Sequence, residues 1–164
     1  MFYMDHQGKK STSRLFLLSF ADTRYAKSLV RLHKQAEAFP FTEVVTMTEK
    51  DLPKDFRDNL HPKRYPRGYG YWKWKSYLVD WTLADLQDGD VLVYADAGAL
   101  LNAAGMQRFK EYIDMARACE SGILTFQQQF LEKDYAKGDL TAHCGVYDNK
   151  EILCSYQLWG GNNN

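Results

Sequence analysis

An α/β domain is predicted, with a mostly parallel open sheet and helices on both faces, and three observations predict it. The runs Leu15–Phe20 and Val91–Tyr94 are almost unbrokenly apolar, as strands buried on both faces are. Segments with apolar residues at helical spacing lie between the strand-like runs. The order therefore reads strand, helix, strand, long loop, helix, strand, helix, strand, an alternation that builds parallel crossovers. Finally, a carboxylate, Asp96, lies just past the Val91–Tyr94 run. Open α/β sheets hold ligands in the crevice outside the carboxyl ends of their strands.

Taken in order, residues 1–13 are polar and charged (Asp5, His6, Lys9, Lys10) and read as a flexible N-terminus ahead of one domain from 14 to 164. They lack the apolar run of a secretory signal. Leu15–Phe20, interrupted only by Ser19, is the first buried strand. Asp22-Thr23 supplies a helix N-cap. Tyr25, Leu29, Leu32, Ala36 and Phe39 follow at helical spacing, and Pro40 stops the helix. Glu43–Thr48 is short and β-branched, a second strand. From Glu49 to Gly70 the pattern dissolves into charges, three prolines and two glycines. A connection this long is functional or disordered, and its aromatic residues argue against disorder.

The next helix, around Tyr71 to Leu86, carries Trp74, Tyr77, Leu78 and Trp81 but also Trp72, Val79 and Leu83. Being apolar on more than one face, it is expected to be largely buried. Asp88-Gly89 makes a turn into Val91–Tyr94. Gly105 to Cys119 is amphipathic, with Phe109, Tyr112, Ile113 and Ala116 on one side. Gly122 leads into a strand at Ile123–Phe126. A last helix is predicted over Lys150–Leu158, capped by Asp148 or Asn149. Gly160-Gly161 after it reads as a lead into a further element.

Composition narrows the function classes. Hydrophobic content of 45% against 26% charged is that of a soluble globular domain. A net charge of zero gives no global attraction to nucleic acid or an anionic membrane. No run approaches the roughly 18 apolar residues of a spanning helix. The odd count of three cysteines, Cys119, Cys144 and Cys154, lacks paired metal spacing and reads as reduced thiols in the cytoplasm. His143 beside Cys144, with Cys154 beyond, has some likeness to a metal pair, but free cysteine is usually buried packing.

The candidate site centres on Asp96, which suits Mg²⁺ or Mn²⁺ bound together with phosphate oxygens. Its other reading is a turn former beside Gly98 and Asn102. Gly98 would let a ligand approach the backbone closely. Lys75 sits in the apolar helix, where lone lysines are rare unless paired. It either faces Asp96 or binds phosphate as a point charge. Arg67, between Pro66 and Gly68, is placed as a phosphate clamp. Trp72 and Trp74 offer rings for stacking on a base or sugar, or pack in a core or lid. Asp22 is either an N-cap or a nucleotide contact, since its loop borders the same crevice. The charged run Glu132–Asp139, with Lys137 and Asp139, is a solvated loop or an acceptor-side loop.

These pieces together resemble a family of bacterial and viral glycosyltransferases of the GT-A fold, the Rossmann-like nucleotide-diphospho-sugar transferases. The resemblance is carried by Phe20-Ala21-Asp22, by Arg67-Gly68-Tyr69-Gly70-Tyr71-Trp72-Lys73-Trp74-Lys75 and by Asp90-Val91-Leu92-Val93-Tyr94-Ala95-Asp96-Ala97-Gly98. It extends over roughly Leu15 to Trp159 and is most specific in its middle block. It implies transfer of a sugar from a nucleotide-diphosphate donor to a glycan or glycolipid acceptor, in polysaccharide assembly at the cytoplasmic face of an envelope with peripheral membrane association. Ala21, Asp22, Arg67, Tyr71, Trp72, Lys75, Asp96, Ala97 and Gly98 would bind the donor, and Lys137 and Asp139 would lie on the acceptor side. Such folds hold Mn²⁺ or Mg²⁺ with an Asp-X-Asp motif. Here Asp96 is the first carboxylate, the metal ligand, and Gly98 stands where the second would. Either the metal arrives with the donor, or Lys75 and Arg67 share its task. Complete GT-A domains are longer, so the sequence is expected to hold the donor-binding half. Two alternatives stand beside this one: a single-stranded RNA or glycan binding module using the aromatic and basic segment 61–81, and an inactive remnant of the family.

Overall fold

The computed structural model describes residues 3–4, 10–11, 13–131, 138–143, 145 and 153–160. Its elements, in order, begin with β1 (Tyr3–Met4), β2 (Lys10–Ser11), β3 (Leu15–Phe20), α1 (Ala26–Ala36), β4 (Glu43–Met47), α2 (Lys54–Asn59) and α3 (Gly68–Tyr71), the last a single turn of left-handed backbone. There follow α4 (Lys73–Leu83), β5 (Val91–Tyr94), α5 (Met106–Ala118), β6 (Ile123–Leu131), α6 (Gly138–His143) and β7 (Leu153–Gly160). β1 and β2 form a small antiparallel ladder within the segment expected to be a flexible tail. The main sheet has the order β4-β3-β5-β7-β6. The first three strands are parallel, Leu18 lying opposite both Val45 and Tyr94. β7 is antiparallel to both of its neighbours.

The alternation of side chains along β3 divides the core in two. Phe16, Leu18 and Phe20 face α4, meeting Trp74, Leu78 and Val79. Leu15 and Leu17, with Val91 and Val93 of β5, meet Ala36 of α1 and Ile113 of α5. Helices thus cover both faces, as predicted, and each fully buried leucine contributes about 1.5–3 kcal/mol. In α1, Leu29, Leu32 and Ala36 form the buried stripe, whereas Tyr25 is exposed. The connection before α4 is packed, not loose. Leu52 and Leu60 are buried in the first core, and Phe56 stacks on Tyr77 at 4.0 Å between ring centroids.

Three expectations need correction. The predicted helix over Lys150–Leu158 is instead the strand β7 from Leu153 onward, with residues 150–152 outside the described set. A nine-residue window fits helix and strand periods about equally. What decides is a ladder to β5 and β6 that no local pattern reveals; it also covers the β5 edge, whose backbone groups would otherwise be unpaired. The sheet is accordingly mixed: two of its four strand contacts are antiparallel. The central helix starts at Lys73 and buries one side only. Trp74, Leu78 and Val79 are inside, while Trp72 and Trp81 are exposed.

Candidate functional site

Because β3 and β5 are parallel neighbours, their C-terminal ends release two loops side by side. Ala21 from the first and Ala97 from the second are buried against Leu29 of α1. The β5 loop turns at Asp96, where the Ala99 N–H donates to the Asp96 carbonyl at 2.8 Å. Arg31 of α1 braces that turn by donating to the carbonyls of Ala97 at 2.8 Å and Ala99 at 2.9 Å.

On this turn the Asp96 side chain is met from two elements. The Tyr94 hydroxyl donates to Asp96 Oδ1 at 2.8 Å, and Lys75 Nζ, in the first turn of α4, lies 3.0 Å from the same oxygen. The ammonium also sits 4.7 Å from the centre of the Tyr94 ring, a favourable cation–π placement. Burial, and then the neighbouring Asp96 carboxylate, push the Tyr94 phenol well above the ordinary tyrosine range, so it stays an O–H donor. The ion pair is more than a third exposed on both sides, so its worth is positional rather than a matter of stability.

Lys75 and Tyr94 also line a cleft of about 460 Å³, with Trp72, Ser76, Val79, Asp80 and Leu83. That volume suits a small ligand, and apolar walls with a few convergent polar groups are usual for one. Arg67 stands at this wall, its guanidinium 5.5 Å from the centre of the Trp72 ring. The wall is set by an unusual backbone. From Gly68 to Trp72 every residue has positive φ: +57°, +49°, +92°, +55° and +57°. For a residue with a Cβ this costs on the order of 1 kcal/mol or more. The turn is closed by Gly70 N–H to Tyr65 carbonyl, Tyr71 N–H to Arg67 carbonyl and Trp72 N–H to Gly68 carbonyl, at 2.9, 2.9 and 3.0 Å. The Trp74 indole N–H adds a bond to the Gly68 carbonyl at 2.9 Å.

The predicted site residues therefore separate. Lys75 lines the cleft with Trp72 and pairs with Asp96, which is not itself among the lining residues; Arg67 stands over the Trp72 ring and Ala97 is buried beneath the turn. Tyr71 is exposed beside Tyr65, their ring centroids 5.6 Å apart, and does not line the cleft. Trp74 is core, stacked on Phe20 at 4.1 Å. Asp22 caps the short turn before α1 and gives both oxygens to Arg24. The hydrogen bond from that guanidinium holds its carboxyl below the usual range, against the opposing effect of burial. Asp22 lines a second, smaller crevice with Lys63 and Tyr69. Gly98 is exposed, and a Cβ there would meet nothing within 4 Å. Lys137 lies outside the described residues. Asp139 is exposed in the first turn of α6 and is not among the residues lining the cleft.

Sequence reasoning passed over Tyr94 and Arg31. A tyrosine closing an apolar strand next to Asp96 was a usable signal for the first. Arg31 gave none, because its partners are backbone carbonyls distant in sequence.

The donors around Asp96, among the described residues, do not suit a divalent cation. Among the described residues no group of three or more His, Cys, Asp or Glu side chains could hold a metal ion. Asp96, the ligand expected from the sequence, already holds an ammonium and a phenol hydroxyl. Compared with protein-family models, curated proteins and solved structures, the chain matches none.

Proposed function

We propose that the cleft binds a nucleoside-diphosphate sugar and that the chain takes part in transferring its sugar to a glycan or glycolipid acceptor. The observation that carries this reading is the convergence of Lys75 and Asp96 at the C-terminal ends of parallel strands, beside a cleft walled by Trp72 and bordered by Arg67. The cations suit the diphosphate. The Asp96 carboxylate suits a ribose or sugar hydroxyl, and the apolar wall of Val79 and Leu83 suits a ring. In the reaction the bond from sugar C1 to the diphosphate oxygen breaks, a bond from C1 to the acceptor oxygen forms, and the acceptor's proton is released.

A single-stranded RNA or glycan module built on segment 61–81 draws less support. Trp74 is buried against Phe20, and the Arg67 guanidinium already lies over the Trp72 ring, so the segment offers fewer free rings than its sequence suggests. No helix among the described residues is long and apolar enough to cross a membrane.

The test is calorimetric titration of the folded chain with UDP, GDP and CDP. Saturable binding of one of them, lost in Asp96→Ala, is expected. A folded chain that binds none of the three refutes the reading.

A further inference from the structure

Nucleoside diphosphates bring two or more negative charges, and enzymes commonly neutralise them with a divalent cation. This cleft has a different resource. Lys75 Nζ is fixed by the Asp96 carboxylate at 3.0 Å and by the face of Tyr94 at 4.7 Å, at the wall of the cleft. An ammonium has three N–H donors. The contact with Asp96 Oδ1 uses one and leaves two for ligand oxygens. A surface lysine ordinarily loses much rotamer freedom when it binds; this one is already held.

The same atoms disfavour a cation. Mg²⁺ needs near-octahedral oxygen coordination, usually with one or two carboxylates, and Mn²⁺ favours similar oxygen ligands. Asp96 Oδ1 already accepts from Tyr94 and faces Lys75, and a dication there would be repelled by the ammonium. Asp80 lines the cleft and Asp96 stands behind Lys75 and Tyr94, and the two do not complete a cluster of three ligands among the described residues. The neighbouring position is Gly98, though nothing lies within 4 Å of where its Cβ would be. A second carboxylate has room there and is not present.

We infer that Lys75, positioned by Asp96 and Tyr94 and assisted by Arg67, takes the place of a metal, so that the diphosphate binds without a divalent cation. This rests on the nucleoside-diphosphate reading above. The experiment uses the whole chain, with circular dichroism to confirm its fold, and titrates UDP, GDP and CDP in EDTA and in Mn²⁺.

The nucleotide that binds does so with equal affinity in both buffers, to within about twofold. Lys75→Met weakens it about tenfold or more, as expected for loss of a charged hydrogen bond, and Lys75→Arg recovers most of it. Mn²⁺ strengthens binding only when Lys75→Met is combined with Gly98→Asp. Binding that requires Mn²⁺ in the unaltered chain, or that ignores Lys75→Met, overturns the inference and leaves the nucleotide reading standing. Binding of no nucleotide in either buffer overturns both. The comparison of buffers needs no variant, so a misfolded substitution does not blunt the test.

Discussion

Tyr94 shows how one residue serves both packing and site. Its ring closes β5 against the cleft, and its hydroxyl fixes the Asp96 oxygen that Lys75 also approaches. Replacing it with phenylalanine keeps the ring and removes the donor, at an expected cost of about 1 kcal/mol in denaturant unfolding near neutral pH. A second signature appears in alkali. Burial and the Asp96 charge raise the folded-state phenol pKa above its unfolded value of about 10. Both states are protonated below that value, and above it only the unfolded state releases its proton. Stability therefore falls as pH rises past about 10. Tyr69 shifts in the same direction through burial, so the informative quantity is the difference between chains. Urea midpoints at neutral and alkaline pH are expected to fall less steeply for Tyr94→Phe; equal alkaline slopes would show that the phenol titrates as in the unfolded chain.

At the scale of elements, the left-handed turn from Gly68 to Trp72 sets the direction from which α4 enters. Lys75 N–H donates to the Trp72 carbonyl at 2.9 Å, so the helix that presents Lys75 starts directly on this turn. Gly70 is indispensable on two counts: its φ is +92°, and a Cβ would lie 2.7 Å from the Leu60 carbonyl oxygen. Gly70→Ala is expected to cost about 2 kcal/mol or more. Gly98→Ala, in open space, is expected to stay within about 0.5 kcal/mol. Chemical denaturation of the two variants side by side tests this, and equal losses would contradict the turn geometry.

The same segment marks the limit of what was legible in sequence. Apolar runs gave β3 and β5, and helical spacing gave α1 and α5, because burial there follows local periodicity. The Gly68–Trp72 turn is held by contacts to Leu60, Tyr65 and Trp74, and β7 by ladders to strands distant in sequence. Neither leaves a periodic trace. In the site, Lys75 and Asp96 were readable from their places relative to helix and strand. Asp22 was ambiguous because an N-cap and a ligand contact ask for the same side chain.

For the whole molecule, the two ends of the parallel strands have different tasks. At the C-terminal end stand Asp96 and the cleft. At the N-terminal end Asp90, 3% exposed, receives the Arg14 backbone N–H at 2.7 Å, two guanidinium contacts at 3.0 and 2.6 Å, and the Gln87 N–H at 3.0 Å. These bonds tie the entry to β3 to the entry to β5. Burial alone would raise the Asp90 pKa, but the bonds from Arg14 and Gln87 outweigh it and hold the carboxyl below the ordinary range. Asp22 is depressed as well, through Arg24. A depressed folded-state value means stabilisation that is complete above the unfolded pKa of about 3.9 and lost as pH falls through the folded value. Acid unfolding should therefore steepen below about pH 4. Asp90→Asn is expected to lower stability at pH 7 by about 2–4 kcal/mol, since it weakens a buried, charge-assisted network. It should also flatten the acid limb measured by urea midpoints between neutral pH and pH 3. Because Asp90 and Asp96 lie at opposite ends of β5, the folded Asp90→Asn chain should keep the nucleotide affinity of the unaltered one. A parallel acid limb would remove Asp90 from the account of stability, and an altered affinity would show that the two ends of the sheet are coupled.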